Sequence, residues 1–529
     1  MSKADLWQRY RRYLWTGEAV GMQLDISRMM FPDSYLDSMA APMDRAFRAM
    51  DAIESGARAN VGEDRMVGHY WLRAPELAPD SKIAEQIQAA VRQVREFAEN
   101  VHGGKIRAQR GDGFYVVLVI GIGGSVLGPQ LVSDALGCDD DEMAVLFLDN
   151  TDPDGIDRIL AEIEESLDQT LTVVVSKSGA TRETRNAMVE VAAAYKRAGL
   201  SFSNHAVAIT AEGSELHKKA VAEKWLATFP MWDWVGGRTS ITSAVGLLPA
   251  ALQGLDIDGF LAGARDCDAL TRNKDVLSNP AALLALMWHY AGRGRGDRNM
   301  VVLPYRDRLL LLGRYLQQLV MESLGKAADR HGQTVHQGLT VFGNKGSTDQ
   351  HAYVQQLRDG RNDFFVVFIN VLHDRAERSL PIEPDTTAGD YLSAFYLGTR
   401  EALVENGRES LTITLDRLDA RRLGALIALL ERAVGLYAET IDVNAYDQPG
   451  VEAGKRAAAA VLQLHRKVLA LLRSRPGEAF TCEQAARAIG AEQDAELVLH
   501  ILERAAANPD HGVTRLPGAT PIDAHYQTT

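Results

Sequence analysis

The groups in this chain that could do chemistry fall in six short stretches. Ser176-Lys177-Ser178-Gly179-Ala180-Thr181 follows the apolar run Val173-Val174-Val175 and precedes a helix-like segment. Free backbone N–H groups, three hydroxyls and the positive end of a helix dipole gathered at one turn bind a phosphate. Gly121-Ile122-Gly123-Gly124-Ser125-Val126-Leu127-Gly128 also sits between a strand and a helix, and its bare backbone admits a ligand closely. Its spacing is not the Gly-x-Gly-x-x-Gly of dinucleotide sites, although Asp149, Asp152 and Asp154 at the next strand's end keep that reading open. Gly236-Gly237-Arg238 can bring a guanidinium inward to stabilise an oxyanion. Gln318 and Glu322 share a helix face, ahead of the expected C-cap Gly325, and Glu322 is placed to act as a general base. His351, ending the polar loop from Gly343, can move protons near neutral pH. Tyr446 to Lys455 opens another helix, where a lysine would ordinarily be a surface group.

These groups must be held by a βα alternation. Strands are expected at Phe114–Ile120, Ala144–Leu148, Leu171–Val175 and Ala206–Ile209, with helical patterns such as Arg185–Arg197 between them. A second series follows at Met300–Leu303, Leu339–Phe342, Phe364–Val371 and Leu411–Leu415. One helix is expected from Leu309 to Ser323, with Leu312, Leu316 and Leu319 toward the core. The fold class is α/β: two doubly wound parallel sheets in series, with a helical N-terminal region and a small C-terminal helical appendage. The expected divisions are 1–110, 111–270, 271–474 and 475–529, with Thr271–Pro280 as the joint between the two sheets. Thr481-Cys482-Glu483-Gln484 starts a capping box, and Gly490 divides two short helical patterns that could form a helix-turn-helix. A packing role is the plainer reading, because acids outnumber bases there.

Composition narrows the function classes. The chain has 529 residues, 46% hydrophobic and 24% charged, with a net charge of −13. That balance argues against a general nucleic-acid binder, so any phosphate must be held by local groups. No run approaches the ~20 apolar residues of a membrane helix. Cys138, Cys267 and Cys482 are far apart and lack metal-ligand spacing, which fits a reducing cytoplasm and no structural zinc.

Taken together, the motifs resemble those of the phosphoglucose isomerase family, from about Asn60 to Lys455. The resemblance rests on Asn60-Val61-Gly62-Glu63-Asp64-Arg65 with His69 and Leu72-Arg73, then Ile122-Gly123-Gly124-Ser125-x-x-Gly128-Pro129. Ser176-Lys177-Ser178, Gly236-Gly237-Arg238 and Met321-Glu322-Ser323-x-Gly325-Lys326 follow. Gln350-His351 and Gly450-Val451-Glu452-x-Gly454-Lys455 complete the order. The chain departs from the commoner pattern at Gly179-Ala180, in the loop 347–350 and at Pro449, positions that bear on substrate fit. The resemblance implies two sugar-isomerase (SIS) domains, a homodimer, and an active site between domains and subunits.

It also implies an aldose–ketose isomerase that interconverts glucose 6-phosphate and fructose 6-phosphate through ring opening and a cis-enediolate. On that basis Gly124, Ser125, Ser176, Ser178 and Thr181 hold the phosphate, with the Lys177 backbone. Glu322 shuttles the proton, Arg238 stabilises the enediolate, His351 and Lys455 assist ring opening, and Gln318 and Gln448 position sugar hydroxyls. No metal or redox cofactor is expected, and the partners are small sugar phosphates, not nucleic acid or membrane. A dual-specificity enzyme that also takes mannose 6-phosphate and a non-catalytic sugar-phosphate sensor remain alternatives.

Overall fold

The computed structural model describes residues 2–111 and 113–528, with the side chains of 451–453 and 455 left out. The chain divides into two compact units, 1–447 and 448–529. The first unit contains strands β1 (Leu14–Gly17), β2 (Met22–Asp25), β3 (Val116–Ile120), β4 (Ala144–Leu148), β5 (Thr170–Val175), β6 (Ala206–Thr210) and β7 (Ala227–Pro230). After them come β8 (Asn299–Pro304), β9 (Val341–Phe342), β10 (Phe364–Val371) and β11 (Ser410–Leu415).

Strands β3 to β7 form an all-parallel sheet in the order β4-β3-β5-β6-β7. The first strand of the series therefore lies inside, between the second and the third. The connections leaving β3 and β5 diverge to opposite sides, and the turns at the carboxyl ends of these neighbouring strands open a crevice where doubly wound sheets bind ligands. The other sheet runs β1-β2-β11-β10-β8-β9, parallel from β11 to β9.

Its remaining edge differs from expectation. The N-terminal region, expected to be mostly helical and without a strand, contributes the hairpin β1–β2, and β2 pairs antiparallel with β11. Each of these strands has only four residues, too few for a periodicity to declare itself. The buried Met22 and Leu24 drive the pairing by entering the core beneath β11.

Alternate residues of the parallel strands face opposite layers. Val117 and Val119 of β3, with Val302 of β8 and Val367 of β10, join one continuous core. That core contains the helices Ala244–Gln253 and Pro280–Gly292, apolar nearly all round, and the helix Ala420–Thr440, buried along most of its length with its Glu431 and Arg432 paired. Leu118 and Ile120 face the opposite layer, beneath the helix Arg182–Arg197. The segment 271–280 is tied down: Asn279 donates to the carbonyls of Thr271 and Asn273 and caps the helix it precedes.

A largely buried ion cluster ties the N-terminal region to the central helices. Arg73 bonds Asp268 and Glu431, and Arg432 bonds Glu54 while its guanidinium lies over the ring of Tyr70. Each charge here has an opposite partner, which offsets the desolvation that a lone buried ion would suffer.

The second unit has its own core. Val468 and Leu472 of the helix Pro449–Ser474 pack with Phe480, Val498, Leu502 and Tyr526. The helices Cys482–Ala488 and Ala495–Ala507 are followed by a hairpin, Val513–Leu516 with His525–Thr528. The expected capping box at Thr481 is present. Beyond Pro476 the only lysine or arginine residues are Arg487, Arg504 and Arg515, against eight acids.

Candidate active site

Three turns and one helix end meet at the carboxyl edge of the all-parallel sheet. The turn after β3 tightens into a 3-10 turn, Gly123–Ser125. Gly124 packs directly on the Gly237 backbone, and the hydroxyl of Ser240 donates to both carbonyls, at 3.1 Å to Gly124 and 2.8 Å to Gly237. The turn after β5 is organised by its own hydroxyls. Ser176 Oγ accepts from the Gly179 N–H at 3.1 Å and donates to Thr181 Oγ1 at 3.2 Å, while Ser178 Oγ accepts from the Ala180 N–H. Gly179 has φ +73°, and a Cβ there would lie 2.3 Å from the Leu216 nitrogen, so this turn takes glycine. Thr181 occupies the N-cap of Arg182–Arg197 without spending its hydroxyl on the helix. The turn thus presents hydroxyls and a positive helix end together.

Lys177 points back into the protein. Its Nζ donates to the carbonyls of Asp233 and Val235, at 2.8 and 3.0 Å, bracing the segment that leads into Gly236. Burial pushes its ammonium down to about 8, helped by Arg65. It serves as a strut between the phosphate-type turn and the arginine turn.

Arg238 is only 5% exposed. Its Nη1 donates to Ser323 Oγ at 2.8 Å and to the Ala445 carbonyl, and its Nη2 to the Asp447 carbonyl at 2.9 Å. Its Nε lies 3.7 Å from Glu322 Oε2. Burial pulls this guanidinium below the ordinary arginine value, opposed by the charges of Glu322 and Asp447. A cation held by three acceptors and facing a carboxylate is rigid before any substrate arrives.

Glu322 does not end a simple helix. The single helix expected from Leu309 to Ser323 is instead a 3-10 turn at Asp307–Leu309, an α-helix at Leu312–Leu316, and a π-helical turn at Gln317–Glu322. Such wide turns recur at functional sites because they re-aim side chains. Leu312, Leu316 and Leu319 are buried as their spacing requires. Gln318 reaches the first turn: a Cβ on Gly123 would lie 3.1 Å from its Nε2. Gly325 lies just past the helical residues, its N–H bonded to the Met321 carbonyl.

The remaining expected residues fall elsewhere. His351 ends the 3-10 turn Thr348–His351 and is exposed, with no side-chain hydrogen bond or ion pair among the described residues. Its loop is stapled by the buried Asp349, which accepts from the Asn344 N–H at 2.8 Å and from the Tyr353 hydroxyl at 2.6 Å. Gln448 opens the second unit as the N-cap of Pro449–Ser474. The side chain of Lys455 lies outside the described residues.

Four side chains not singled out from the sequence belong to the cluster. Ser323 and Lys326 stand beside Glu322 in its own motif, and Asp447 precedes Gln448. Asn60, in the earliest motif, donates to the Tyr446 carbonyl at 3.2 Å and to Glu63 at 3.0 Å. Their nearness in sequence to recognised residues was the available signal. Among the described residues no group of three or more His, Cys, Asp or Glu side chains is placed to hold a metal ion.

Comparison with known proteins shows the family to which the chain belongs. Residues 27–469 match the family model described as phosphoglucose isomerase. The chain is 60% identical over 523 residues to the glucose-6-phosphate isomerase of Geobacter sulfurreducens, covering 99% of this chain and 98% of that one. It is 58% identical over 526 residues to the enzyme of the same name from Geotalea daltonii, covering 99% of each. Among solved structures, the crystal structure of a glucose-6-phosphate isomerase from Chlamydia trachomatis superposes with a TM-score of 0.79 at 27% identity, covering 88% of this chain and 93% of that one.

Proposed function

We propose a division of labour at the site of a chain that belongs to the phosphoglucose isomerase family and interconverts glucose 6-phosphate and fructose 6-phosphate, an aldose–ketose isomerisation of glycolysis and gluconeogenesis. The observation that carries it is the Arg238–Glu322 pair beside two hydroxyl-bearing turns at the crevice between β3 and β5.

The 6-phosphate sits against Gly124, Ser125, Ser176, Ser178 and Thr181, with the Lys177 backbone. The first-turn N–H groups of Arg182–Arg197 add the positive helix end. Anchoring the phosphate fixes the sugar chain so that C1 and C2 lie beside Glu322. Once the ring is open, the Glu322 carboxylate removes the proton from C2 of the aldose and returns it to C1, while the proton of the C2 hydroxyl passes to the C1 oxygen and C2 becomes the carbonyl. The C1 carbonyl oxygen gains charge as the enediolate forms, and Arg238 is the fixed cation that meets it. Gln318 positions a sugar hydroxyl, with Gln448.

Ring opening needs a proton taken from the C1 hydroxyl and one given to the ring oxygen. We assign this exchange to His351 and Lys455. His351 is exposed, with no side-chain hydrogen bond or ion pair to Glu322 or Arg238 among the described residues, and we read the protein as a homodimer in which a second copy supplies it. We read 111–270 and 271–447 as the two SIS domains, 1–110 as a flanking region, 448–529 as the appendage with the helix Pro449–Ser474 in it, and the protein as cytoplasmic. The two separate sheets support the first reading, and three free, scattered cysteines the last.

The test is conversion of fructose 6-phosphate to glucose 6-phosphate by the purified protein with a chelator present, mannose 6-phosphate being run beside it. Rapid turnover of fructose 6-phosphate alone is expected. Turnover of both sugars would make the enzyme dual-specific. Binding of sugar phosphate without turnover would overturn the catalytic assignments in favour of a sensor.

A further inference from the structure

We infer that Lys326 is a positioning residue for the proton transfer, its ammonium holding the turn that carries Glu322 and the segment that carries Asp447 in one register. The inference rests on Glu322 being the base.

Lys326 is 6% exposed. The chain leaves its helix at Gly325 and enters the strand Lys326–Ala328, so the last helical carbonyls have no N–H ahead of them to accept. Lys326 Nζ fills that gap, donating to the Glu322 carbonyl at 2.8 Å and the Ser323 carbonyl at 2.9 Å. A cation at a helix's carboxyl end is also favoured by the dipole. The third N–H direction faces Asp447 Oδ1 at 3.6 Å, a buried oxygen without a hydrogen-bond partner. An ammonium has three donors; two are hydrogen-bonded to backbone carbonyls here, and the Asp447 carboxylate stands within ion-pair distance of the same nitrogen.

The same two segments are clasped from the other side by Arg238, which binds Ser323 Oγ and the carbonyls of Ala445 and Asp447. Arg238 and Lys326 are therefore two cations fastening residues 322–323 to residues 445–447. Arg238 faces the reacting carboxylate, whereas Lys326 touches only the backbone behind it. Without Lys326 the residues of the reaction remain but their spacing loosens, and a misplacement of about 1 Å can cost on the order of 100-fold in rate.

Protonation decides whether the third contact exists. The charged groups facing Lys326 are Arg238, Asp447 and Glu322, and burial with Arg238 pulls the ammonium down to about 8 against the pull of the two carboxylates. Losing that proton removes the attraction to Asp447 and the charge at the helix end.

The experiment compares kcat, KM and the pH profile of kcat for the wild-type enzyme, Lys326→Met, Asp447→Asn and Glu322→Gln, all as full-length protein. Lys326→Met is expected to lower kcat roughly 10–100-fold with KM for fructose 6-phosphate little changed, and to lose an alkaline inflection near pH 8. Asp447→Asn is expected to move that inflection to lower pH, because the charge that retains the proton is gone. If Lys326→Met does not fold, the shift in Asp447→Asn decides alone. Wild-type kcat and an unmoved inflection in the folded variants would overturn the inference. Glu322→Gln separates the two readings. Full activity there sinks the base assignment itself, while an inactive Glu322→Gln beside unaltered Lys326 and Asp447 variants sinks only the positioning role.

Discussion

Gly124 and Gly237 meet backbone to backbone: a Cβ on Gly124 would lie 2.0 Å from the Gly237 carbonyl oxygen. The turn after β3 and the turn that aims Arg238 are thus one packed unit, and Gly124 cannot carry a side chain at the contact, whereas a Cβ on Gly237 would point into open space. Gly124→Ala must push the 236–238 backbone away and move Arg238 with it. We expect a stability loss of about 1–3 kcal/mol from the overlap, read as a lower thermal midpoint. A fall in kcat larger than the rise in KM should accompany it, and unchanged kinetics would show that Arg238 keeps its place without this contact.

Glu322→Gln and Arg238→Ala should separate in kind. Glu322→Gln removes the proton acceptor and little else, so kcat should fall roughly 10²–10⁴-fold with sugar-phosphate affinity retained. Arg238→Ala also strips partners from Ser323 and from the carbonyls of Ala445 and Asp447. It should therefore lower the thermal midpoint as well as kcat, by about 1–3 kcal/mol for each acceptor left buried and unpaired. Steady-state kinetics beside thermal melts distinguish the two patterns.

Subunit mixing tests where His351 acts. Glu322→Gln and His351→Ala should each be nearly inactive alone. If a dimer's sites pair Glu322 of one copy with His351 of the other, a mixed dimer holds one intact site. Unfolding and refolding the two variants together should then restore about a quarter of wild-type activity for random pairing. Pairing within one copy would restore nothing.

Alkaline pH should divide activity from stability. Lys177 and Lys326 are both held near pH 8 in the fold, against an ordinary lysine value of 10.5. Between pH 8 and 9 the unfolded chain keeps these protons and the folded one sheds them. The unfolded state therefore binds more protons, and this pair's contribution to stability rises with pH in that window. It is least below pH 8, where both states are protonated. The thermal midpoint should hold or rise from pH 8 to 9 while kcat falls. A midpoint falling in step with kcat would mean that simple unfolding explains the alkaline loss.

Much of the fold is legible locally. Phe364–Val371 forms a strand with the boundaries its apolar run implies, and Ala144–Leu148 does likewise. Phe364–Val371 is buried on both faces and needs continuous apolar residues, a requirement written in adjacent positions, whereas Ala144–Leu148 is a half-buried edge strand whose apolar run is bounded by polar residues on both sides. The hairpin β1–β2 was not legible, because four-residue strands acquire their identity only from β11 beside them. The π-helical turn at Gln317–Glu322 was also hidden, since the residues read equally well as an α-helix.

The sequence by itself determined which chemical groups are present. The hydroxyls and glycines of two turns, one arginine behind two glycines and one carboxylate at a helix end are short-range patterns, set by what neighbouring residues do to the backbone. Tertiary structure alone decided their mutual placement. The strand order sets the turns after β3 and β5 side by side, and Gly124 against Gly237 locks Arg238 to one of them. The carbonyls of residues 322–323 and 445–447 turn two cations into clasps. Residues more than a hundred positions apart in the chain meet only when burial of the apolar strands and helices brings them together, and no local pattern encodes that encounter.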